Sequence, residues 1–376
     1  MANTLIVRYE RIGDALLVLP LVVDLANKYK TDRFTVLTNK RFDGLIQFMP
    51  ENVTFVPMVS KTTKGTFRGL SYLVRRWLFL RKTKKIVHTF DKVAFFQYGT
   101  FEKKLHKYIR SEHKNIEIGI TDQKEFRSAK RLEVKCNDGL TMVGLHKETL
   151  ARLGYVNLVA TSVSLQNREE DIPLPVINKL GLNPGKVLIG ISPFSREAPK
   201  VYPLDKMEKV IARLSQLGDG CQVLILGGGD NEKEQAEKWV AKYPSVISLI
   251  GRISFRDEVS IISHCSVVVS MDSSNMHLAS FLNTPVVSIW GPSAPQNGYY
   301  PSWESLDRAI VKNLPCQPCT IFGETPCPRA KQYECMDIEP EFIIEKIKQV
   351  IIGNESVMRI GKYLTFLQMM GSTQKK

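Results

Sequence analysis

Short apolar runs alternate along this chain with stretches in which apolar residues return every three or four positions. The runs predict β-strands over residues 4–8, 34–37, 53–56, 86–89 and 93–96, and again over 186–192, 222–226, 246–249, 265–271 and 285–290. Helical spacing predicts helices over 204–217 and 231–242, and the apolar run that begins at residue 15 reads as a further helix. Strand and helix in alternation specify an α/β fold built on parallel sheets. The alternation breaks once: residues 160–186 are polar, hold Pro173, Pro175 and Pro184, and end in GLNPGK. That break reads as an interdomain connection. The chain therefore divides into a first domain over 1–170, a linker over 171–185, a second domain over 186–345 and a terminal helix and tail over 346–376. Neither an internal repeat nor a low-complexity tract is evident. In the tail, Val357, Ile360, Leu364 and Leu367 are helically spaced and the end is basic, which suits packing on the first domain or contact with lipid.

Composition sharpens this picture. A chain of 376 residues with 43% apolar and 24% charged content has room for two folded domains and lacks the bias of a disordered protein. The best apolar run, 15–23, contains Pro20, meets Asp24 and falls short of the roughly 18 residues that a membrane span needs. The first residues carry no basic segment of a secretory signal, so the expectation is a cytoplasmic protein. The net charge of +14 is unevenly placed. Residues 1–150 hold 28 Lys and Arg against 15 Asp and Glu, whereas 151–376 hold 24 against 23. Residues 61–85 alone carry nine basic groups and no acid, interleaved with Leu70, Leu73, Val74, Trp77, Leu78 and Leu80. A basic amphipathic helix of this kind lies on an anionic membrane or another bulky anion.

Three of the seven cysteines (Cys136, Cys221, Cys265) are scattered and read as buried thiols. The other four, Cys316, Cys319, Cys327 and Cys335, crowd into CQPCTIFGETPCPRAKQYEC, an insertion over 316–335. One Cys-x-x-Cys and two further thiols satisfy a tetrahedral structural zinc, and they equally suit buried or redox-sensitive thiols without metal.

Three stretches carry chemistry. In MDSSNMHLASFLNTPVVSIWGPSAP a buried strand ends at Asp272, and Ser273, Ser274 and Asn275 open a helix. The free N–H groups of such a helix start suit a diphosphate, and His277 can donate to a phosphate oxygen. Alternatively, Asp272 and Ser273 are an ordinary N-cap and His277 a core histidine. In ISPFSREAPKVYP a loop with Ser195 and Arg196 presents Lys200, a cation suited to a departing diphosphate. In LGGGDNEKE a strand, three glycines and Asp230 offer an acid to a ribose. Neither a Walker lysine motif nor a full GxGxxG is present, which disfavours kinases and hydride-transfer enzymes. Near the start, RYERIGDALLVLP places Asp14 at the mouth of a strand–turn–helix unit, as a helix cap or as a base.

These stretches, in this order, resemble glycosyltransferase family 9, the ADP-heptose:lipopolysaccharide heptosyltransferases and their relatives. The resemblance runs from about residue 4 to 340 and is strongest at Arg-x-x-x-Ile-Gly-Asp and Asp-Ser-x-x-x-His-Leu-Ala. It implies a GT-B fold: two Rossmann-like doubly wound domains facing across a cleft, the first binding acceptor and the second nucleotide sugar. It further implies inverting transfer without a catalytic metal or other cofactor, with an ADP-sugar as donor substrate. Asp14 matches the family's general base, Lys200 its diphosphate-binding lysine, and Asp272, Ser273, Ser274 and His277 its donor-phosphate segment. Asp230 falls near the acid that contacts the nucleoside, and Ser195 belongs to the same donor site. Gly13, Arg11, Arg75 and Arg76 are the acceptor candidates. Two departures bear on the donor: Ser274 stands where the family has Gly, and Lys-Val-Tyr-Pro replaces Lys-x-Trp-Pro. The basic first domain suits an anionic lipid-linked glycan at the inner face of the cytoplasmic membrane, and no nucleic-acid module is recognisable. The alternatives are a nucleotide-sugar hydrolase or epimerase, which would turn over donor without acceptor, and a non-catalytic anionic-glycolipid-binding protein on the same scaffold.

Overall fold

Runs of β-branched and other apolar residues that are covered on both faces become interior strands of parallel sheets. The computed structural model describes residues 1–9, 11–58, 68–121, 141–163, 172–324, 326, 327, 329 and 333–353, and divides the chain into unit 1, Met1–Val163, and unit 2, Ser164–Lys376.

Unit 1 holds β1 (Asn3–Val7), β2 (Arg33–Asn39), β3 (Val53–Met58), β4 (Lys92–Phe95) and β5 (Glu117–Ile120), all parallel, in the order β3-β2-β1-β4-β5. Helix Ile12–Lys28 follows β1 and buries ten of its residues, from Ala15 to Ala26, with Pro20 inside it. Such all-round burial explains why its apolar run is nearly unbroken. On one face of the sheet Leu5, Val7, Val93 and Phe95 pack with Phe79, Phe101, Leu105 and Ile109.

Unit 2 holds β6 (Val187–Ser192), β7 (Cys221–Ile225), β8 (Val246–Ser248), β9 (Val267–Met271), β10 (Val286–Trp290) and β11 (Ala309–Val311), again all parallel, in the order β11-β10-β9-β6-β7-β8. Helices Leu204–Ser215, Asp230–Lys242, Phe255–Ser263, Ser274–Phe281 and Pro340–Ile352 connect or follow these strands. The largest core side chains, Trp239 and Trp290, are 1% exposed.

Most expected strands form within a residue or two of their predicted ends. Residues 86–89 do not: helix Arg68–Ile86 runs through the first of them and Val87–Thr89 close it as a 3₁₀ turn. Ile86 and Val87 are too short an apolar run to compete with the helical period before them. The expected linker contains a short helix, Leu174–Leu180, closed by Gly181 in the left-handed region at φ 67°. Cys136 and residues 354–376 lie outside the described residues. Among the described residues, no helix is long and apolar enough to cross a membrane.

Candidate functional site

In unit 2 the strand order reverses between β6 and β9, and an open parallel sheet binds ligands beyond the carboxyl ends of the strands at such a point. Ser192 and Ser270 are register partners there, so the segments after them emerge side by side. From β6 the chain runs through half-buried Ser195 into the turn Ala198–Lys200, which leaves Lys200 only 7% exposed. From β9 it passes through Asp272 into helix Ser274–Phe281. Lys200 Nζ donates to Asp272 Oδ2 at 2.5 Å, and Ser293 Oγ, from the turn after β10, donates to the same oxygen at 2.6 Å. Asn275 Nδ2 reaches across the reversal point to Ser192 Oγ at 3.0 Å.

This arrangement bears on the two readings of the helix start. Ser273 occupies the N-cap position, yet its side chain makes no capping hydrogen bond; its Oγ lies 3.1 Å from Ser270 Oγ. Asp272 spends its Oδ2 on Lys200 and Ser293. The first-turn N–H groups are therefore not closed off by the N-cap side chain, and the helix dipole adds to the charge of the nearby lysine. Ser274 opens this helix and buried His277 follows one turn in. Asp230 is elsewhere: it begins the helix after β7 and is exposed. Two residues on, Glu232 folds back to accept from Gly228 N at 2.7 Å. Burial pushes the Glu232 carboxyl up from its ordinary range, against the bond from Gly228. Ser192, Glu232 and Ser293 are contributors that motif reading passes over, and Asn275, read only as a helix opener, gains a side-chain role. Only their placement in the segments at and after strand ends signals them.

The four-cysteine segment packs against the same edge. Gln317 Nε2 donates to Trp290 O and Gly291 O at 3.2 and 2.6 Å, and Cys319 N and Thr320 N donate to Pro292 O at 3.0 and 3.2 Å. Cys316, Cys319, Cys327 and Cys335 line one cavity with Gly291, Pro292 and Arg329. The thiols keep separate partners: Cys319 Sγ approaches Pro292 O at 3.8 Å, Cys327 Sγ accepts from Tyr333 N at 3.4 Å, and Arg329 Nη1 lies 3.9 Å from Cys316 Sγ. Burial and the neighbouring thiols push Cys335 up to about 11. Among the described residues, no group of three or more His, Cys, Asp and Glu side chains is placed to hold a metal ion. The four thiols, which the spacing offers to a zinc or to no metal, thus share a cavity without forming a coordination sphere.

Unit 1 repeats the topology. Its strand order reverses between β1 and β4, where Val7 faces Phe95 in register. Arg8 and Gln97 emerge there. Arg8, 4% exposed, pairs with the Asp14 carboxylate and donates to Gln97 Oε1 at 3.3 Å and Phe96 O at 3.5 Å. Gln97 Nε2 in turn donates to Glu102 Oε1 at 2.7 Å, and Gly99 N donates to Glu102 Oε2 at 2.8 Å. Arg8 thus joins Asp14 to a buried polar chain, a role the motif alone does not reveal. Gly13 and Asp14 lie in the first turn of their helix, preceded by exposed Arg11 at φ 55°, a left-handed conformation unusual for arginine. His146, 1% exposed, has its imidazole held well below 6.5 by burial and then by the Arg8 charge. Arg75 and Arg76 fall within helix Arg68–Ile86; their side chains lie outside the described set.

Residues 160–325 match the model of glycosyltransferase family 9 (heptosyltransferase). Over that stretch, which is less than half of the chain, the protein is similar to glycosyltransferase family 9. The family 9 match takes in Lys200, Asp230, Asp272 and His277 and leaves Asp14 outside. Among curated relatives, lipooligosaccharide heptosyltransferase 2 of Campylobacter jejuni is 28% identical over 216 residues, covering 54% of this chain and 66% of that protein, just under two thirds. Among solved structures, the family 9 glycosyl transferase of Veillonella parvula gives a TM-score of 0.66 at 16% identity, covering 94% of this chain and 98% of that one. The ADP-heptose lps heptosyltransferase II of E. coli gives 0.65 at 16%, covering 94% and 100%. At these identities the structures speak for the fold, which is GT-B in content: two parallel α/β units.

Proposed function

We propose that this chain is an inverting glycosyltransferase that moves a sugar, heptose from ADP-heptose, onto a lipopolysaccharide core or a related lipid-linked glycan. One observation carries the reading: Lys200, Asp272 and Ser293 converge at a helix start that its N-cap side chain leaves open, at the strand-order reversal of the unit that matches the family. Lysine and aligned N–H groups stabilise the negative charge that develops on a departing diphosphate, the task a metal ion performs in other transferases. Asp14 takes the proton of the acceptor hydroxyl as that oxygen attacks the anomeric carbon from the face opposite the diphosphate. The C–O bond to the sugar forms as the bond to the diphosphate breaks. Arg8 fixes the direction of the Asp14 carboxylate.

The acceptor side of the reading draws on helix Arg68–Ile86. Val74, Trp77 and Leu78 are 48, 56 and 51% exposed, and their spacing puts them on one face. Arg81 lies 5.4 Å over the Trp77 ring, and Lys82 and Lys85 are exposed beside it. Apolar side chains flanked by cations suit the headgroup boundary of an anionic membrane, where a lipid-linked acceptor resides.

The test is a donor screen by isothermal titration, ADP-heptose against UDP- and GDP-sugars, on wild type and Asp14→Asn. A deacylated core acceptor and the chelator EDTA are then added. Binding to both proteins, with chelator-insensitive transfer by wild type alone, is expected. Absence of binding by every nucleotide sugar overturns the proposal.

A further inference from the structure

We infer that the loop of residues 317–324, within the four-cysteine insertion, is a positioning element for Lys200, and that Gly323 is the residue through which it acts. The inference rests on the donor-site reading above and extends it to a segment with no assigned role. Gly323 lies directly on the lysine stem. A Cβ added there meets Lys200 Cε at 2.9 Å, Lys200 Cγ at 3.0 Å and Glu197 Cβ at 3.3 Å. Its φ of +84° is a conformation that favours glycine. The loop is closed by Thr320, whose Oγ1 accepts from Gly323 N at 3.1 Å and donates to Glu324 Oε2 at 2.9 Å. Glu324 Oε2 also accepts from Phe322 N at 3.1 Å. The other end is held to Trp290, Gly291 and Pro292 by Gln317, Cys319 and Thr320.

That anchorage is the turn which delivers Ser293 to Asp272. One turn therefore supports both the counter-ion of Lys200 and the loop that presses on its stem. A lysine has four rotatable bonds, and its ammonium is useful to a diphosphate only where it is held. With Asp272 drawing on Nζ and Gly323 backing the methylenes, Lys200 keeps one direction. A methyl at Gly323 strains the backbone at φ +84° and meets mostly atoms of the Lys200 side chain, so Lys200 has to shift with the loop.

The test compares ADP with adenosine by isothermal titration on the full chain, because a lysine that faces phosphate contributes to the first ligand only. Wild type is expected to prefer ADP. Gly323→Ala is expected to lose about tenfold to a hundredfold of that preference, the range of one charge-assisted hydrogen bond, with adenosine unchanged. Thr320→Val opens the loop without adding bulk and is expected to lose preference in the same direction, which covers the case in which Gly323→Ala fails to fold. In a Lys200→Ala background either change is expected to have no further effect. An undiminished ADP preference in Gly323→Ala or Thr320→Val, or an equal loss with Lys200 absent, overturns the inference. Lack of ADP preference in wild type overturns the donor-site reading beneath it.

Discussion

Asp272→Asn is the sharpest probe of the unit 2 site, because it removes one charge and keeps the shape. In the wild type one carboxylate oxygen receives both Lys200 Nζ and Ser293 Oγ, with the lysine and aspartate side chains 8 and 11% exposed. Breaking a buried ion pair from one side costs about 3–5 kcal/mol, since the remaining charge stays desolvated. Asparagine retains one acceptor, so about 3 kcal/mol is expected. For a unit of this size that is a drop of about 6–12 °C in the melting transition of unit 2. Ser293→Ala removes a single hydrogen bond and should lower the same transition by about 2–4 °C. Calorimetry on the full chain separates the two because they are measured against one reference transition. Saturating ADP then supplies a replacement anion for Lys200, and the gap between Asp272→Asn and wild type should narrow. A shift below about 2 °C refutes the claim that the pair is desolvated. A gap unchanged by ADP refutes Lys200 as a phosphate ligand.

Three further outcomes follow from unit 1. Arg8→Met should lower kcat by about tenfold to a hundredfold with donor KM unchanged, and Arg8→Lys should recover part of it; steady-state transfer kinetics check this, and an unchanged kcat rules out the positioning role. His146 is held neutral in the fold, so below its ordinary value near 6.5 the unfolded chain takes a proton that the folded chain does not. Stability contributed above pH 6.5 is therefore lost as pH falls, by about 1 kcal/mol between pH 6.5 and 5.5, and His146→Gln should flatten that slope in urea titrations. The full chain should sediment with phosphatidylglycerol vesicles in preference to phosphatidylcholine, more weakly at high salt, and Trp77→Ala with Leu78→Ala should reduce this about threefold or more; equal binding of wild type to both vesicles ends the membrane-surface reading.

The architecture was legible because interior parallel strands are the easiest elements to read: Val267–Met271 and Val286–Trp290 are unbroken apolar runs with polar ends. The sites of error share one cause. Glu117–Ile120 and Ala309–Val311 are edge strands of four and three residues, and such short apolar runs carry no period. Residues 86–89 look like a strand in isolation, but the preceding helix carries them. Local apolar content loses wherever a longer neighbouring period claims the same residues.

The site was legible in its charged members and illegible in their partners, and the difference is physical. Lys200, Asp272 and Asp14 each fall in the segment that follows a strand, so the motif places them before any contact is known. Ser293 and Arg8 acquire their roles from tertiary contact: Ser293 bonds a carboxylate 21 positions away, and Arg8 bonds Gln97 from 89 positions away. Arg8 opens the Arg-x-x-x-Ile-Gly-Asp motif and Ser293 sits in a turn, but nothing in the local sequence names their partners. The same holds for Gly323, which reads as a loop glycine until Lys200 is seen against it. Both units nevertheless place an acid paired with a cation at the reversal point of a parallel sheet, Arg8–Asp14 in one and Lys200–Asp272 in the other. The two pairs differ in which member the chemistry uses. On the proposed reading, in unit 1 the cation directs a carboxylate that accepts a proton. In unit 2, on the same reading, the carboxylate, with Ser293 and the 317–324 loop, holds a cation that meets phosphate. Loss of the helper should therefore act on kcat in the first case and on phosphate-dependent binding in the second, and the Arg8 and Gly323 variants are opposite halves of that one argument.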